Sequence, residues 1–138
     1  MSAIRDLDVL LASLHAVRNP GVYAFCAAPQ GMDVARIPAI ALFHEREGIS
    51  AILPEETAAA LGLPVAFRAA WITLTVHSDL EAVGLTAAVA AALTAEGISC
   101  NVVAAVHHDH LFVPIDRADD AIDALDRLQA SSRRAASR

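Results

Sequence analysis

One local pattern occurs twice in this chain: an apolar strand, a short polar turn, a second apolar strand that closes on proline, and an acidic helix start. The first copy runs from residue 39 to Pro54, and the second from residue 102 to Pro114. A proline is tolerated in the first turn of a helix because its φ is already helical and its missing N–H would have no partner within the helix there. The repetition predicts a duplicated hairpin-and-helix unit. Two half-sheets joined edge to edge would also cover strand edges that otherwise promote aggregation.

The first half of the chain predicts the order helix, strand, strand, strand, helix, strand. Leucines at helical spacing indicate an N-terminal amphipathic helix, which we expect to end at Asn19-Pro20-Gly21. A strand over 22–28 and a hairpin follow. A short helix then begins at Pro54 and ends at Gly62, because glycine often terminates helices.

The second half predicts the order strand, helix, strand, strand, helix, which is the split β-α-β order of a ferredoxin-like unit without its last strand. The long strand over 65–77 alternates, with Trp71, Thr73, Thr75 and His77 on one side. Ser78 and Glu81 fit a capping box before the next helix, which ends at Gly97. Strands over 98–106 and 111–115 and a helix from Asp116 complete this half.

Composition limits the function classes. The chain has 138 residues, a net charge of -6 and no apolar run long enough to span a bilayer. An acidic domain gains little from a phosphate backbone, so we expect no nucleic-acid partner and no membrane partner. The N-terminus lacks the pattern of a secretory signal, which favours the cytoplasm. The two cysteines, Cys26 and Cys100, lack metal-site spacing and are expected to stay reduced.

Residues 71–86, with the segments 97–103 and 107–114, resemble the ACT-domain family. The similarity is closest to short stand-alone bacterial proteins with tandem ACT-like repeats, which are similar to the regulatory region of aspartate kinase. It extends over nearly the whole chain and is most specific from Trp71 to Pro114. The resemblance implies an α+β fold in which each repeat is ferredoxin-like (βαββαβ), with antiparallel sheets and helices on one face. We expect a divergent first repeat over 1–67, a second repeat over 68–130 and a flexible tail over 131–138.

The resemblance also implies a ligand site for an amino acid at the interface between paired repeats. The matching positions form a loop at a helix start and the beginning of the next strand: Val83, Gly84, Leu85, Ile98, Ser99, Cys100 and Asn101. A glycine admits a ligand close to the backbone, helix N-terminal amides suit a carboxylate, and an asparagine offers both donor and acceptor. Asp109 matches a family aspartate near the ligand and could contact its amine.

Two of these residues have structural interpretations as well. Gly84 could serve only to let the helix pack closely, and Asn101 could equally satisfy a backbone edge.

The histidines suggest a different kind of site. If His108 and Asp109 formed a two-residue turn, His107 and His110 would face each other, and His77 would lie near the same sheet edge. Three histidines and Asp109 could bind zinc or nickel, although a solvated turn is the commoner arrangement.

No catalytic motif is present: the sequence has no G-x-S-x-G, P-loop or dinucleotide fingerprint. We therefore expect no enzyme activity, no catalytic residues and no cofactor. The predicted function is that of a homodimeric sensor for a small ligand. We expect the ligand to stabilise the correctly paired state, and the sensor to act on a separate metabolic enzyme. A metal-binding module using His77, His107 and His110, and a ligand-free dimerisation scaffold, are the alternatives.

Overall fold

The computed structural model describes residues 3–76 and 84–137, which form two compact units. Pro20–Ala70 is called the 20–70 unit; Met1–Asn19 together with Trp71–Arg138 is called the terminal unit. The helices are α1 Ala3–Ala12, α2 Glu55–Ala60, α3 Leu85–Ala95 and α4 Ala118–Ala136, with short 3₁₀ helices at Val34–Arg36 and Ile115–Arg117. The strands are β1 His15–Ala28, β2 Ala41–Glu45, β3 Gly48–Pro54, β4 Val65–Thr75, β5 Asn101–Ala104 and β6 Asp109–Pro114.

The 20–70 unit is an antiparallel sheet with the strand order β2-β3-β1-β4. Strand β1 pairs with β3 from Tyr23 opposite Pro54 to Ala28 opposite Ile49, and β2 pairs with the other edge of β3. Small and branched apolar side chains form its core, which explains the high alanine content of this segment. The core residues are Ala24, Cys26, Ala28, Ile37, Ala51, Leu53, Ala58 and Leu63.

The terminal unit has the strand order β1-β4-β6-β5 and carries the three longer helices. Helix α4 packs against α1, α3 and β6. Along β4, Ile72 and Leu74 are buried while Trp71 and Thr73 are only partly buried, which is the period of two expected of a strand. These features confirm the predicted α+β architecture of antiparallel sheet and helices.

The prediction that Asn19-Pro20-Gly21 ends a helix is wrong. Helix α1 ends at Ala12, and the tripeptide lies inside the 14-residue strand β1. Gly21 has a φ of 101°, a left-handed value that glycine adopts without strain. Nearby, the Tyr23 hydroxyl donates to the Pro20 carbonyl at 2.7 Å, and the Asn19 amide donates to the Trp71 carbonyl at 3.3 Å. Side-chain bonds thus hold this irregular stretch in an extended conformation.

The second hairpin also differs from its prediction. Strand β5 ends at Ala104, opposite Asp109, and residues 105–108 form the loop, in which the Ala105 N–H donates to the His108 carbonyl at 3.0 Å. The proposed two-residue turn is therefore wrong, and His110 lies opposite Val103 instead of His107. Helix α4 continues through residues 131–136. The predicted capping pair Ser78 and Glu81 lies outside the described residues.

None of the helices in the described part of the chain is both long and apolar enough to cross a membrane.

Candidate functional site

Gly84 marks the start of helix α3 and is the best-defined member of the predicted ligand site. Its backbone is left-handed, with φ 97° and ψ -17°, and its carbonyl accepts the first helical hydrogen bond, from the Ala88 N–H at 2.9 Å. Only glycine adopts this conformation readily. Because glycine has no side chain, it cannot cap the first-turn amides as serine or aspartate would. Leu85, the next predicted site residue, is buried and begins the packed face of α3.

Gly84 is also a close packing point. A Cβ placed on it would lie 3.3 Å from Cδ2 and 3.4 Å from Cδ1 of Leu7, in helix α1. Those separations are shorter than ordinary carbon contacts, so Leu7 lies directly against the glycine backbone. The sequence suggested that Gly84 could allow close packing of its helix on the sheet; the contact in the structure is with α1.

The other predicted group, residues 98–101, connects α3 to β5. Ile98 is buried, and its N–H donates to the Leu93 carbonyl at 3.0 Å, which closes the end of α3. Burial raises the pKa of the Cys100 thiol, so this side chain is a neutral thiol near pH 7. The Asn101 side chain is exposed, and its Nδ2 donates to the Phe112 carbonyl at 3.3 Å. Asn101 thus makes the backbone contact suggested as its structural role. Its amide oxygen can still accept a hydrogen bond.

The two predicted groups lie at opposite ends of α3. Gly84 precedes its first residue and Ile98 follows its last turn, and an eleven-residue helix is about 16 Å long. One amino acid cannot touch both ends within the same copy of the unit. Both groups could contact one ligand only if they came from different copies or repeats. Val83, also predicted for this site, lies outside the described residues.

The histidine hairpin forms a polar network that the sequence did not predict. The Trp71 Nε1–H donates to His110 Nδ1 at 2.9 Å, and the Thr73 hydroxyl lies 3.1 Å from the same nitrogen. The Asn19 Nδ2 donates to that hydroxyl at 2.9 Å. An indole N–H can only donate, so His110 Nδ1 must be the acceptor and the ring proton must reside on Nε2. The alternation along β4 placed Trp71 and Thr73 together, but no sequence pattern indicated Asn19 or His110 as their partner.

The environment of His110 favours its neutral form. Burial lowers the pKa of His110, and the nearby His108 lowers it further, while Asp109 opposes these effects. Asp109 itself is partly buried at the start of β6, opposite Ala104.

The geometry argues against His110 as a metal ligand. A metal on Nε2 would require the proton to move to Nδ1, and that would break the bond from the Trp71 Nε1–H, which can only donate. His107 is exposed in the loop, and His77 lies outside the described residues. Over residues 3–76 and 84–137, no three histidine, cysteine, aspartate or glutamate side chains are grouped for metal binding.

Comparison with known families gives two matches in tandem. The ACT domain matches residues 2–70 and, as a second family model, residues 67–127. This chain belongs to the ACT-domain family. The tandem arrangement predicted from the duplicated hairpin is confirmed. ACT domains are regulatory ligand-binding modules.

Solved structures support the same assignment. The chain is 42% identical to a Vibrio cholerae protein of unknown function described as a possible transport protein, with a TM-score of 0.85 over 93% of this chain and 99% of that one. An Agrobacterium tumefaciens protein is 16% identical, with a TM-score of 0.64 over 84% and 89% of the two chains. The regulatory subunit of aspartate kinase from Thermus thermophilus shares the fold at 8% identity, with a TM-score of 0.57 over 84% and 98%. No curated protein has a significant match.

Proposed function

We propose that this ACT protein is a cytoplasmic sensor that binds an amino acid between two copies of the chain. The observation that carries the proposal is the left-handed Gly84 at the start of α3, where backbone amides can receive a carboxylate. Family membership supports a small ligand, since ACT domains are regulatory ligand-binding modules. Residues 98–101 and Asp109 would supply the remaining contacts, with Asp109 facing the ligand amine.

The length of α3 supports a homodimer. Because Gly84 and residues 98–101 lie about 16 Å apart along one helix, we propose that the ligand contacts come from two copies. Ligand binding would then stabilise the paired state, which is a population shift. We further propose that the output acts on a separate metabolic enzyme, as the regulatory subunit of aspartate kinase does by its name.

The test is thermal unfolding of the purified chain against each of the twenty amino acids at millimolar concentration. A ligand specific for the folded state, at 100 times its Kd, adds about 2.7 kcal/mol, which raises Tm by several degrees. Light scattering coupled to size exclusion should show a dimer whose population increases with the active amino acid.

The control compares two glycines with left-handed backbones. Gly84 and Gly31 have φ of 97° and 86°, so alanine strains the backbone at each. Only Gly84→Ala is expected to abolish the response to the amino acid, because Gly31 lies in the 20–70 unit and is not one of the proposed ligand contacts. If no amino acid raises Tm, or if Gly31→Ala loses the response equally, the proposed site is wrong and a ligand-free scaffold becomes the better interpretation.

A further inference from the structure

Helix α4 has an exposed side on which the charge changes sign along the helix. The buried residues of α4 face α1, α3 and β6, and Ala130 lies near the middle of the opposite side. On that side, exposed aspartates precede Ala130 and exposed arginines follow it. We call this surface the α4 charge stripe; its members are Asp119, Asp123, Asp126, Ala130, Arg133 and Arg134.

Most of these charges form no ion pair within the described chain. Over residues 3–76 and 84–137, the stripe makes a single ion pair, between Asp119 and Arg18 at 3.3 Å, and that carboxylate is 95% exposed. The helix dipole favours acidic residues in the first turn of a helix, and its effect fades beyond that turn. Asp123 and Asp126 lie further along α4, so the dipole does not account for their position.

The stripe is complementary to a second copy of itself. Asp126 and Arg134 each lie four residues, about 6 Å along the helix, from Ala130. If two α4 helices packed antiparallel about a two-fold axis at Ala130, Asp126 of one copy would face Arg134 of the other, and the symmetry would form this pair twice. The small side chain of Ala130 permits the two helices to approach closely at the axis. Arg127, a base within the acidic half, is already paired with Glu96 at 3.1 Å. The carboxylate of Asp126 would enter an open groove at the basic end, which is lined by Gln129, Ala130, Arg133, Arg134 and Ser137.

We propose that the α4 charge stripe is the surface through which two copies of this chain pair, with their α4 helices antiparallel. The inference rests on the homodimer of the proposed function and names the surface that forms it. Each copy has a net charge of -6, so two copies repel each other unless their contact surfaces match opposite charges. A second copy supplies that match in register, which another acidic partner does not. Because exposed ion pairs each contribute little, they orient the two copies, and the dimer is reversible and sensitive to salt.

The test uses two charge reversals, measured alone and mixed. In a dimer, Asp126→Arg would bring only basic residues together at these positions, and Arg134→Asp only acidic ones. Sedimentation equilibrium of either variant alone should therefore show a dimer Kd raised at least about tenfold over the wild type. An equal mixture should form a heterodimer about as tight as the wild-type dimer, because opposite charges again face each other. Glu47→Arg and Arg46→Asp make the same charge changes at the exposed tip of the first hairpin, and they should leave the Kd unchanged.

A crosslink gives a measurement that does not depend on the charge variants. In a chain carrying Cys100→Ser, Ala130→Cys should form a disulfide between two copies on mild oxidation, because a residue on a two-fold axis faces itself. Ser131→Cys, an exposed position one residue further along α4, should not.

The outcomes separate this surface from the proposed function. A wild-type dimer that both reversals leave intact, or that Ala130→Cys does not crosslink, would overturn the α4 surface while the homodimeric sensor stood. A wild type that stays monomeric, alone and with each of the twenty amino acids, would overturn the homodimer and this inference together, and would leave the arginines to an anionic ligand. Monomeric single reversals whose mixture dimerises would support both.

Discussion

The two units contain the same hairpin but differ in the segment that precedes it. Pro54 and Pro114, which close the two hairpins, have nearly the same conformation, with φ and ψ of -56° and 138° in one and -52° and 137° in the other. Before the hairpin, the terminal unit has the eleven-residue helix α3, whereas the 20–70 unit has only the 3₁₀ helix Val34–Arg36. The duplicated element is therefore the hairpin, and the crossover has diverged.

The difference has a sequence cause. Helix α3 carries Leu85, Val89 and Leu93 at a spacing of four, all buried on one face. The segment before β2 has Pro29, Gly31 and Pro38 within ten residues, which leaves room for a single turn. Consequently the pairing of a left-handed glycine with a full helix N-terminus, which the ligand proposal needs, is found only in the terminal unit among the described residues.

The largest expected effect tests whether the two crossovers contribute unequally to stability. Leu93→Ala in α3 removes a side chain that is fully buried, and we expect it to lower the free energy of unfolding by about 2–5 kcal/mol. Val34→Ala in the 3₁₀ helix removes a side chain that is 37% exposed, so its effect should stay within about 0.5 kcal/mol. Urea unfolding near pH 7.5 measures both, and similar losses would mean that the short crossover packs as tightly as α3.

An intermediate effect separates backbone strain from the Leu7 contact. Gly31 and Gly84 precede the two crossovers with φ of 86° and 97°, but only Gly84 has a neighbour within 4 Å of an added Cβ. Gly31→Ala should lower stability by about 1 kcal/mol through strain, and Gly84→Ala by about 2 kcal/mol because it also displaces Leu7.

A double-mutant cycle identifies the source of the extra loss at Gly84. Combining Leu7→Ala with Gly84→Ala should recover about 1 kcal/mol relative to the sum of the single variants, because the crowded pair is then relieved together. Additive losses in urea unfolding would show that Leu7 does not crowd the glycine.

The sequence predicted most of the architecture, since proline, glycine and apolar periodicity are local signals. They located α2, the end of α3 and both hairpins to within a few residues. They failed at Asn19-Pro20-Gly21, where side chains distant in sequence hold an extended conformation. Local sequence signals also could not predict the contact between Leu7 and Gly84, because 77 residues separate the pair in the chain and only tertiary packing brings them together.

The histidine hairpin shows why a site is harder to predict than a fold. From the sequence its histidines were candidate metal ligands, but their geometry depended on the loop length, and the four-residue loop at 105–108 placed His110 opposite Val103 and not His107. His110 instead contacts Trp71 and Thr73 on β4. Because the indole N–H of Trp71 can only donate, the ring proton of His110 must lie on Nε2. The pairing partner of His110 thus moved from the predicted His107 to Val103, and this change of register separated the two histidines.

The smallest predicted effect is a pH dependence specific to the terminal unit. In the folded chain the pKa of His110 is lowered by burial and by His108, so the unfolded chain takes up the proton first as the pH falls. The stability contributed by neutral His110 should be fully present above about pH 6.5, the pKa in the unfolded chain, and should decline as the pH falls from there through the pKa in the folded chain.

Ser50 occupies the corresponding place in the other hairpin, four residues before Pro54, and it does not titrate. His110→Asn should therefore flatten the stability profile between pH 7.5 and 5. Urea midpoints measured across that range test this directly. An unaltered slope in His110→Asn would mean that burial and His108 do not lower the pKa of His110 in the folded chain.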